Sequence, residues 1–482
     1  MTRHSSTMKS IPLLAAALAA CGWAMAAQPA PKPLSAGTPL TRLAAGAPNN
    51  RGANSTFPDF GYMVTPLEYQ QNYSDQPIFR LKTDFPKAKP AALPEFMKID
   101  FHKDANAYIL AVRDYAFDGN LPDWNPFNNT KRGWYHIPWL HPSSPPGGYP
   151  PNGGTEGFRG LIKEAGISPL QLGPGQKKDG YSVYAITLVN GQAGYTLGKM
   201  WADPANPDPR ATDRRYGGGF PEGTVFAKLL FTDAPKGPDS IPFLKNPLTW
   251  KAYITENFAE SSKRVVSDVH LLQMDIAVRD SRARETGWVM GTFVYNGEVN
   301  NPNKFLNLVP VGLMWGNDPA ITVNATTPFP PRETRVNPAL KETVIFSSKQ
   351  LPPQHLGWNG RLNGPADLNT TSCLSCHNAA QYPALTSLIP LGAVPPGGPT
   401  PPPQGGSPEW MKWFRNLPAA TSSDLRAYST DFSFQVAISL TNFYAAKGAW
   451  LQGNWASEYG APPVVIGRGG PLEPASVSQE RK

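Results

Sequence analysis

The stretch Asp268-Val-His-Leu-Leu-Gln-Met-Asp-Ile-Ala-Val-Arg279 decides the fold class of this chain. Apolar and polar side chains alternate along it, which is the period of a β-strand with one face in a core. One face holds His270, Leu272, Met274, Ile276 and Val278, and the other holds Gln273, Asp275 and Arg279. We therefore expect His270 to be a hydrogen-bonded core histidine.

Other segments of the chain show the same alternation. Gly287–Tyr295 follows the first stretch after a short charged link, a spacing that is typical of a β-hairpin. Three more segments are strand candidates: Ala107–Val112, Tyr181–Val189 and Thr224–Phe231. Helical segments do not alternate with these strands, which argues against a parallel α/β sheet. We predict a mainly β body with an antiparallel β-sandwich or jelly-roll-like architecture.

The N-terminus has the pattern of an export signal. Two basic residues precede the apolar run Ile11–Ala20, and Ala24-Met25-Ala26 is a small-x-small cleavage site. We therefore predict a signal peptide over residues 1–26 and a periplasmic protein. No other stretch is long and apolar enough to span a bilayer, so we expect no transmembrane segment.

A second interpretation of the same segment involves Cys21. Leu18-Ala19-Ala20-Cys21 resembles a bacterial lipobox, which would make Cys21 a lipid anchor. Both interpretations export the protein. Residues 27–56 are rich in Pro, Ala and Gly without periodicity, and we interpret them as a flexible leader.

The motif that carries chemistry is Cys373-Leu-Ser-Cys376-His377. Two thiols at this spacing attach to the two vinyl groups of one haem, and the adjacent imidazole binds the iron. The chain has three cysteines, too few for a disulfide framework in an exported domain of this size. A zinc site would need a second ligand pair, and a thioredoxin-like pair would need a βαβ frame. We predict one covalent haem c, with His377 as the proximal ligand.

The motif divides the chain into two parts. We assign residues 57–340 to the β-rich domain and residues 341–482 to a small helix-and-loop region that binds the haem. Within that region, residues 383–408 include a Pro-rich loop. Pro408 and Glu409 start one helix candidate, which runs to Arg415, and Phe432–Ala446 is a second.

The charge of the chain limits its partners. The formal net charge is +8, but lysines and arginines are scattered and form no dense stripe of the kind that binds nucleic acid. We therefore expect no nucleic-acid partner. A mild positive excess is compatible with docking to an acidic redox protein and equally with general solubility.

Three segments resemble a known family. Asn378-Ala379-Ala380 follows the haem motif, the run from His355 to Asp367 precedes it, and Gly133–Trp139 lies far upstream. Together they resemble the large single-haem cytochrome c proteins of Gram-negative bacteria, which place a long β-rich region before one C-terminal haem motif. The resemblance is close over residues 350–380 and loose elsewhere. It implies haem binding and electron transfer.

The chain departs from small class I cytochromes, where the motif is N-terminal and a methionine follows in a short loop. The sixth iron ligand therefore stays open. Met411 is the only methionine after the motif; its alternative role is packing beside two tryptophans. His355 is a second candidate ligand, and an open or water-bound iron is the third. Arg361 could pair with a haem propionate or be a surface arginine.

Three functions are compatible with these patterns, and one of them is a haem-based sensor or interaction module. The first is an exported monohaem cytochrome that passes electrons between partners. The second is a haem-dependent oxidoreductase or peroxidase-like enzyme with a small-molecule pocket in the β-rich domain. His136 and His141, among Trp134, Tyr135 and Trp139, could line that pocket or a haem edge, or bind a metal. Their alternative role is in an aromatic loop that packs on the β body.

Overall fold

The fold is known from a computed structural model. It describes residues 57, 61–140, 155–167, 171–172, 181–235, 241, 243–256, 263–322, 331–338, 357–387, 389 and 403–450. Several predictions concern residues outside this part of the chain: the signal peptide 1–26, Cys21, the leader 27–56, His141, His355 and residues 390–402 of the Pro-rich loop.

The body of the protein is one large antiparallel sheet. The described strands are β1 (Gly61–Tyr62), β2 (Trp134–Tyr135), β3 (Thr155–Glu156), β4 (Ile162–Ile167), β5 (Tyr181–Asn190), β6 (Val225–Thr232), β7 (Thr249–Thr255), β8 (Arg264–Arg279), β9 (Trp288–Tyr295), β10 (Leu308–Met314), β11 (Thr334–Val336), β12 (Gln381–Tyr382) and β13 (Tyr428–Ser429). Nine of them form a sheet in the order β11-β10-β9-β8-β6-β5-β2, with β4 beside β5 and β7 beside β8. The predicted mainly β, antiparallel body is confirmed.

The long strand β8 organises this sheet. It pairs with β6 over 270–278 on one side, while β9 and β7 share its other side over 273–279 and 264–270. Arg279 pairs with Trp288 where β8 ends and β9 begins, so the predicted hairpin is confirmed. His270 is buried and its Nδ1 lies 2.9 Å from Thr249 Oγ1, as expected of a hydrogen-bonded core histidine.

Helices are few and peripheral to the sheet. The α-helices are α1 (Pro66–Glu68), α2 (Ala105–Phe117), α3 (Gly191–Met200), α4 (Cys373–His377) and α5 (Phe434–Trp450). A π-helical turn spans Tyr69–Tyr73, and 3₁₀ turns span Glu95–Lys98, Pro209–Thr212, Arg214–Tyr216, Gly297–Val299, Lys304–Asn307, Trp358–Gly360 and Trp410–Lys412. No helix of the described part of the chain is long and apolar enough to cross a membrane.

The strand predicted at Ala107–Val112 is wrong, because these residues lie in α2. Asp104 caps the helix by accepting a hydrogen bond from the Ala107 amide at 2.9 Å. The buried side chains then recur at helical spacing, at Tyr108, Val112 and Ala116. A short apolar run fits both structures, and here the cap decides for the helix.

Both faces of the sheet are covered, although not by a second large sheet in the described residues. Helix α2 lies on one face, where a Cβ atom at Gly291 would be 2.9 Å from Ile109 Cδ1 and 3.0 Å from Ile276 Cγ1. The chain preceding the haem motif lies on the other face, over Gln273 of β8. There a Cβ atom at Gly364 would be 2.1 Å from the Gln273 amide, so this close approach requires glycine.

The C-terminal region joins the same core as the sheet. Leu374, Tyr382, Val436 and Leu440 belong to one hydrophobic cluster with the sheet residues. Helix α5 covers most of the predicted Phe432–Ala446 helix, so that prediction is confirmed. The helix predicted to start at Pro408 is only the short 3₁₀ turn at Trp410–Lys412. The haem motif is therefore held against the sheet by packing.

Candidate haem-attachment site

The Cys-x-x-Cys-His motif forms a single helical turn, α4, with the two thiols and the imidazole on one side. Cys373, Cys376 and His377 are partly exposed, whereas Leu374 and Ser375 between them are fully buried. Positions i, i+3 and i+4 share one face of a helix, so the five-residue spacing itself separates the reactive face from the buried one. Neither thiol forms a disulfide within the described part of the chain.

A capping box fixes where this turn begins. The Ser372 hydroxyl accepts a hydrogen bond from the Ser375 amide at 3.1 Å, and the Ser372 amide donates to Ser375 Oγ at 2.8 Å. The Ser372 hydroxyl also lies 3.0 Å from Asn317 Oδ1, in the chain after β10. The turn is therefore tied to the end of the sheet, which orients its exposed face.

A hydrogen bond at one ring nitrogen fixes the His377 imidazole and leaves the other nitrogen available to a metal. Its Nδ1 lies 2.6 Å from the carbonyl oxygen of Phe432. A carbonyl oxygen only accepts hydrogen bonds, so Nδ1 carries the proton and Nε2 has the lone pair that a metal requires. The Phe434 ring packs on the imidazole at a centroid distance of 4.9 Å. Burial lowers the pKa of His377 to about 4, which keeps the imidazole neutral.

The Cys373 thiol lies near a group of polar side chains on β8 and its neighbours. Burial raises the pKa of this thiol, and the charges of Asp275 and Asp367 raise it further. The Gln273 amide nitrogen donates to both carboxylates, at 2.8 Å to Asp275 and 3.0 Å to Asp367. The Gln273 carbonyl oxygen accepts from the Ala366 amide at 2.9 Å. The segment that precedes the motif is thus hydrogen-bonded to the polar face of β8.

This pair of carboxylates predicts a pH-dependent stability. Burial raises the pKa of Asp275 to about 7 from its ordinary value of 3.8, so the folded protein holds a proton that the unfolded chain has lost. The free energy of unfolding should therefore fall as pH rises from about 4 to about 7. We expect Asp275→Asn to remove this fall, so that the variant gains stability over the parent above about pH 7 and matches it near pH 4.

Urea unfolding at about pH 4, pH 6 and pH 8 measures this effect. Asp424→Asn is the control, because the hydrogen bond from Arg426 lowers the pKa of Asp424 to about 2. Its contribution is lost only as pH falls from about 4 toward 2 and is constant over the tested range. A stability difference between Asp275→Asn and the parent that does not change with pH would contradict the prediction.

Arg361 has a different environment from the one predicted. Its side chain is fully buried, and its Nη2 donates to the carbonyls of Asp318 at 2.7 Å and Ile321 at 2.9 Å. Its Nε and Nη1 donate to the carbonyls of Asn317 and Trp358. It is therefore not a surface arginine. Backbone carbonyls take four of the five N–H donors, so the geometry favours a scaffold role, and the propionate contact stays a prediction.

Met411 is held by packing. It is partly buried against a separate aromatic cluster formed by Trp358, Trp410 and Phe414. This is the packing role that the sequence offered as the alternative to iron ligation. Ligation by Met411 stays a prediction, and His355, the second candidate, lies outside the described residues.

His136 is integrated into the β body. It is buried, its Nδ1 accepts a hydrogen bond from the Lys82 amide at 2.9 Å, and the Phe79 ring packs edge-on against it at 5.1 Å. This matches the aromatic loop packing that was the alternative to a pocket. Among the described residues, no group of three or more His, Cys, Asp or Glu side chains is placed to hold a metal ion.

The groups that orient the motif could not be predicted from the sequence. The Phe432 carbonyl lies 55 residues after His377, and Gln273 lies a hundred residues before Cys373. A backbone carbonyl leaves no sequence signal, and an isolated glutamine on a strand indicates only a polar face. No family model, curated protein or solved structure matches the chain.

Proposed function

We propose that this chain is an exported c-type cytochrome that carries one covalent haem and transfers electrons. The observation that supports this best is the arrangement of the α4 turn. Cys373, Cys376 and His377 share its partly exposed face, and His377 Nδ1 is hydrogen-bonded to a carbonyl. A zinc or disulfide role does not need this combination, whereas haem attachment needs all three groups on one side.

Each residue has a defined role in the proposal. Cys373 and Cys376 would form the two thioether bonds, and His377 Nε2 would bind the iron. The haem supplies a centre that gains and loses one electron. The protein keeps the imidazole neutral, fixes its plane through Phe432 and holds the turn against the sheet. The same proposal includes Met411 as the sixth ligand of the iron.

The proposed setting is the periplasm. Residues 1–26 would direct export, with a lipid anchor at Cys21 as the alternative. The proposed partner is an acidic redox protein, because the net charge is +8 for the full sequence and +6 without Arg3 and Lys9 of the signal peptide. A nucleic-acid partner is not proposed, since the basic residues are scattered.

Optical spectroscopy tests the proposal. The full chain, produced with haem-maturation machinery, is measured oxidised, reduced, and reduced under carbon monoxide. We expect a low-spin c-type spectrum that carbon monoxide leaves unchanged, because the iron has two protein ligands. Absence of a c-type spectrum would reject haem attachment. Binding of carbon monoxide would mean an open iron and would favour the haem-dependent enzyme over the electron carrier.

The same spectra test the sixth ligand. Met411→Leu keeps the size of the side chain and its packing on the aromatic cluster. Loss of a thioether ligand should change the spectrum of the oxidised protein and let carbon monoxide bind the reduced protein. Met314→Leu, a buried methionine on β10, is the matched control and should leave the spectra unchanged. An unchanged spectrum for Met411→Leu would assign Met411 to packing alone.

A further inference from the structure

The carbonyl that holds His377 belongs to a turn with an unusual backbone. Asp431 and Phe432 have φ angles of 48° and 64°, so two consecutive non-glycine residues lie in the left-handed region. Side chains disfavour this region, and such a conformation persists only where its surroundings hold it. Something must therefore keep the Phe432 carbonyl pointed at the imidazole.

The carboxylate of Asp431 provides that hold. Its Oδ1 accepts hydrogen bonds from Trp288 Nε1 at 2.8 Å and from the Ala420 amide at 2.7 Å. Its Oδ2 accepts from the Phe220 amide at 2.7 Å. The residue is fully buried, and all three partners are N–H donors, which an ionised carboxylate satisfies best.

The three donors come from separate parts of the chain. Trp288 is the first residue of β9 and is fully buried in the sheet, Phe220 precedes β6, and Ala420 precedes β13. The Phe432 ring also packs toward the Trp288 indole at a centroid distance of 6.3 Å. Asp431 therefore anchors the turn to the central sheet through Trp288 of β9.

We propose that Asp431, through its bond to Trp288, is a positioning residue for the proximal haem ligand. It holds the Phe432 carbonyl at His377 Nδ1 and thereby fixes the tautomer and plane of the imidazole. A hydrogen bond at this nitrogen makes the imidazole a stronger electron donor, which stabilises the oxidised iron. This inference rests on the proposed function, because it assigns a role beside the same haem.

Reduction potentials measured by spectroelectrochemistry test the proposal. We expect Asp431→Asn to raise the potential, because one hydrogen bond and the anchoring charge are lost. Trp288→Phe keeps the Asp431 charge and removes the indole donor together with part of a buried ring. It should raise the potential in the same direction by a smaller amount, which separates positioning from a plain effect of charge.

Two matched variants control for loss of stability. Asp280 is equally buried and accepts from Tyr108 Oη at 2.9 Å, far from the motif in sequence. Trp134 is fully buried on β2, and its indole nitrogen has no hydrogen-bond partner among the described residues. Asp280→Asn and Trp134→Phe should lower the melting temperature and leave the potential unchanged. An equal change of potential in all four variants, or none in Asp431→Asn, would overturn the proposal.

A second measurement does not depend on haem. In the full chain expressed without haem maturation, ¹⁵N NMR of labelled histidine reports the His377 tautomer. We expect the Nδ1–H form in the parent and a mixture of both tautomers in Asp431→Asn; an unchanged tautomer in this variant would overturn the inference. A parent chain that never acquires haem would instead reject the proposed function, and the tautomer would still decide the role of Asp431.

Discussion

We expect the chain in which Cys373 and Cys376 are both replaced by serine to carry no covalent haem at all. Serine hydroxyls do not add to vinyl groups, and coordinate bonds to the iron would not hold the cofactor on a denatured chain. The measurement is the mass of the purified, denatured protein together with its haem stain after extraction with acidified solvent. The parent should keep one haem through this treatment, and the double variant should keep none.

Single replacements sharpen this result. Each of Cys373→Ser and Cys376→Ser should leave one thioether bond and shift the reduced absorption band, because one vinyl group stays unsaturated. Cys21→Ser is the matched control: it removes a cysteine outside the motif and should leave haem attachment unchanged. Haem that stays bound to the double variant after extraction would show that the motif is not the attachment site.

The second large effect is expected at Arg361. Arg361→Leu removes a buried guanidinium and leaves the carbonyls of Asn317, Asp318, Ile321 and Trp358 without their donor. An unsatisfied buried polar group costs about 1–3 kcal/mol, so the loss of a donor shared by four carbonyls should lower the free energy of unfolding by about 3–5 kcal/mol. The measurement is urea unfolding followed by tryptophan fluorescence.

The control for this prediction is an exposed arginine near the same segment. Arg335 lies on the edge strand β11 with its side chain at the surface. Arg335→Leu should change the free energy of unfolding by only about 0.5 kcal/mol. A similarly small effect for Arg361→Leu would mean that the carbonyls find other donors and that Arg361 is not a scaffold residue.

The parts of the fold that were predictable are those with a long, regular pattern. The alternation extends over the twelve residues Asp268–Arg279, and all of them lie in β8. The hairpin to β9 was predictable from the short charged link that joins the two strands. The six-residue run Ala107–Val112 is too short to separate a strand from a buried helix. Asp104 was the available signal, because a capping aspartate before the run favours the helix.

The candidate site also contains residues that the sequence predicts and residues that it does not. The attachment residues are predictable because covalent chemistry confines them to five consecutive positions. The orienting groups are not predictable, since the Phe432 carbonyl and the Asp431 carboxylate become neighbours of His377 only through the fold. For Arg361 the sequence offered a haem propionate or the surface, and it gave no sign of the chain carbonyls that accept hydrogen bonds from the buried guanidinium. Residue type alone does not identify a partner.

The segment before the motif is hydrogen-bonded to the polar face of β8, and this contact matters for protein engineering. Gln273 comes before the motif in the sequence and Phe432 comes after it, and each holds one end of the same short segment. Residues 341–482 therefore cannot be moved to another protein on their own, because Gln273, which binds the Ala366 amide, lies outside them. A smaller unit that keeps this segment in place would have to be redesigned around a new supporting surface, and trimming the natural chain will not produce one.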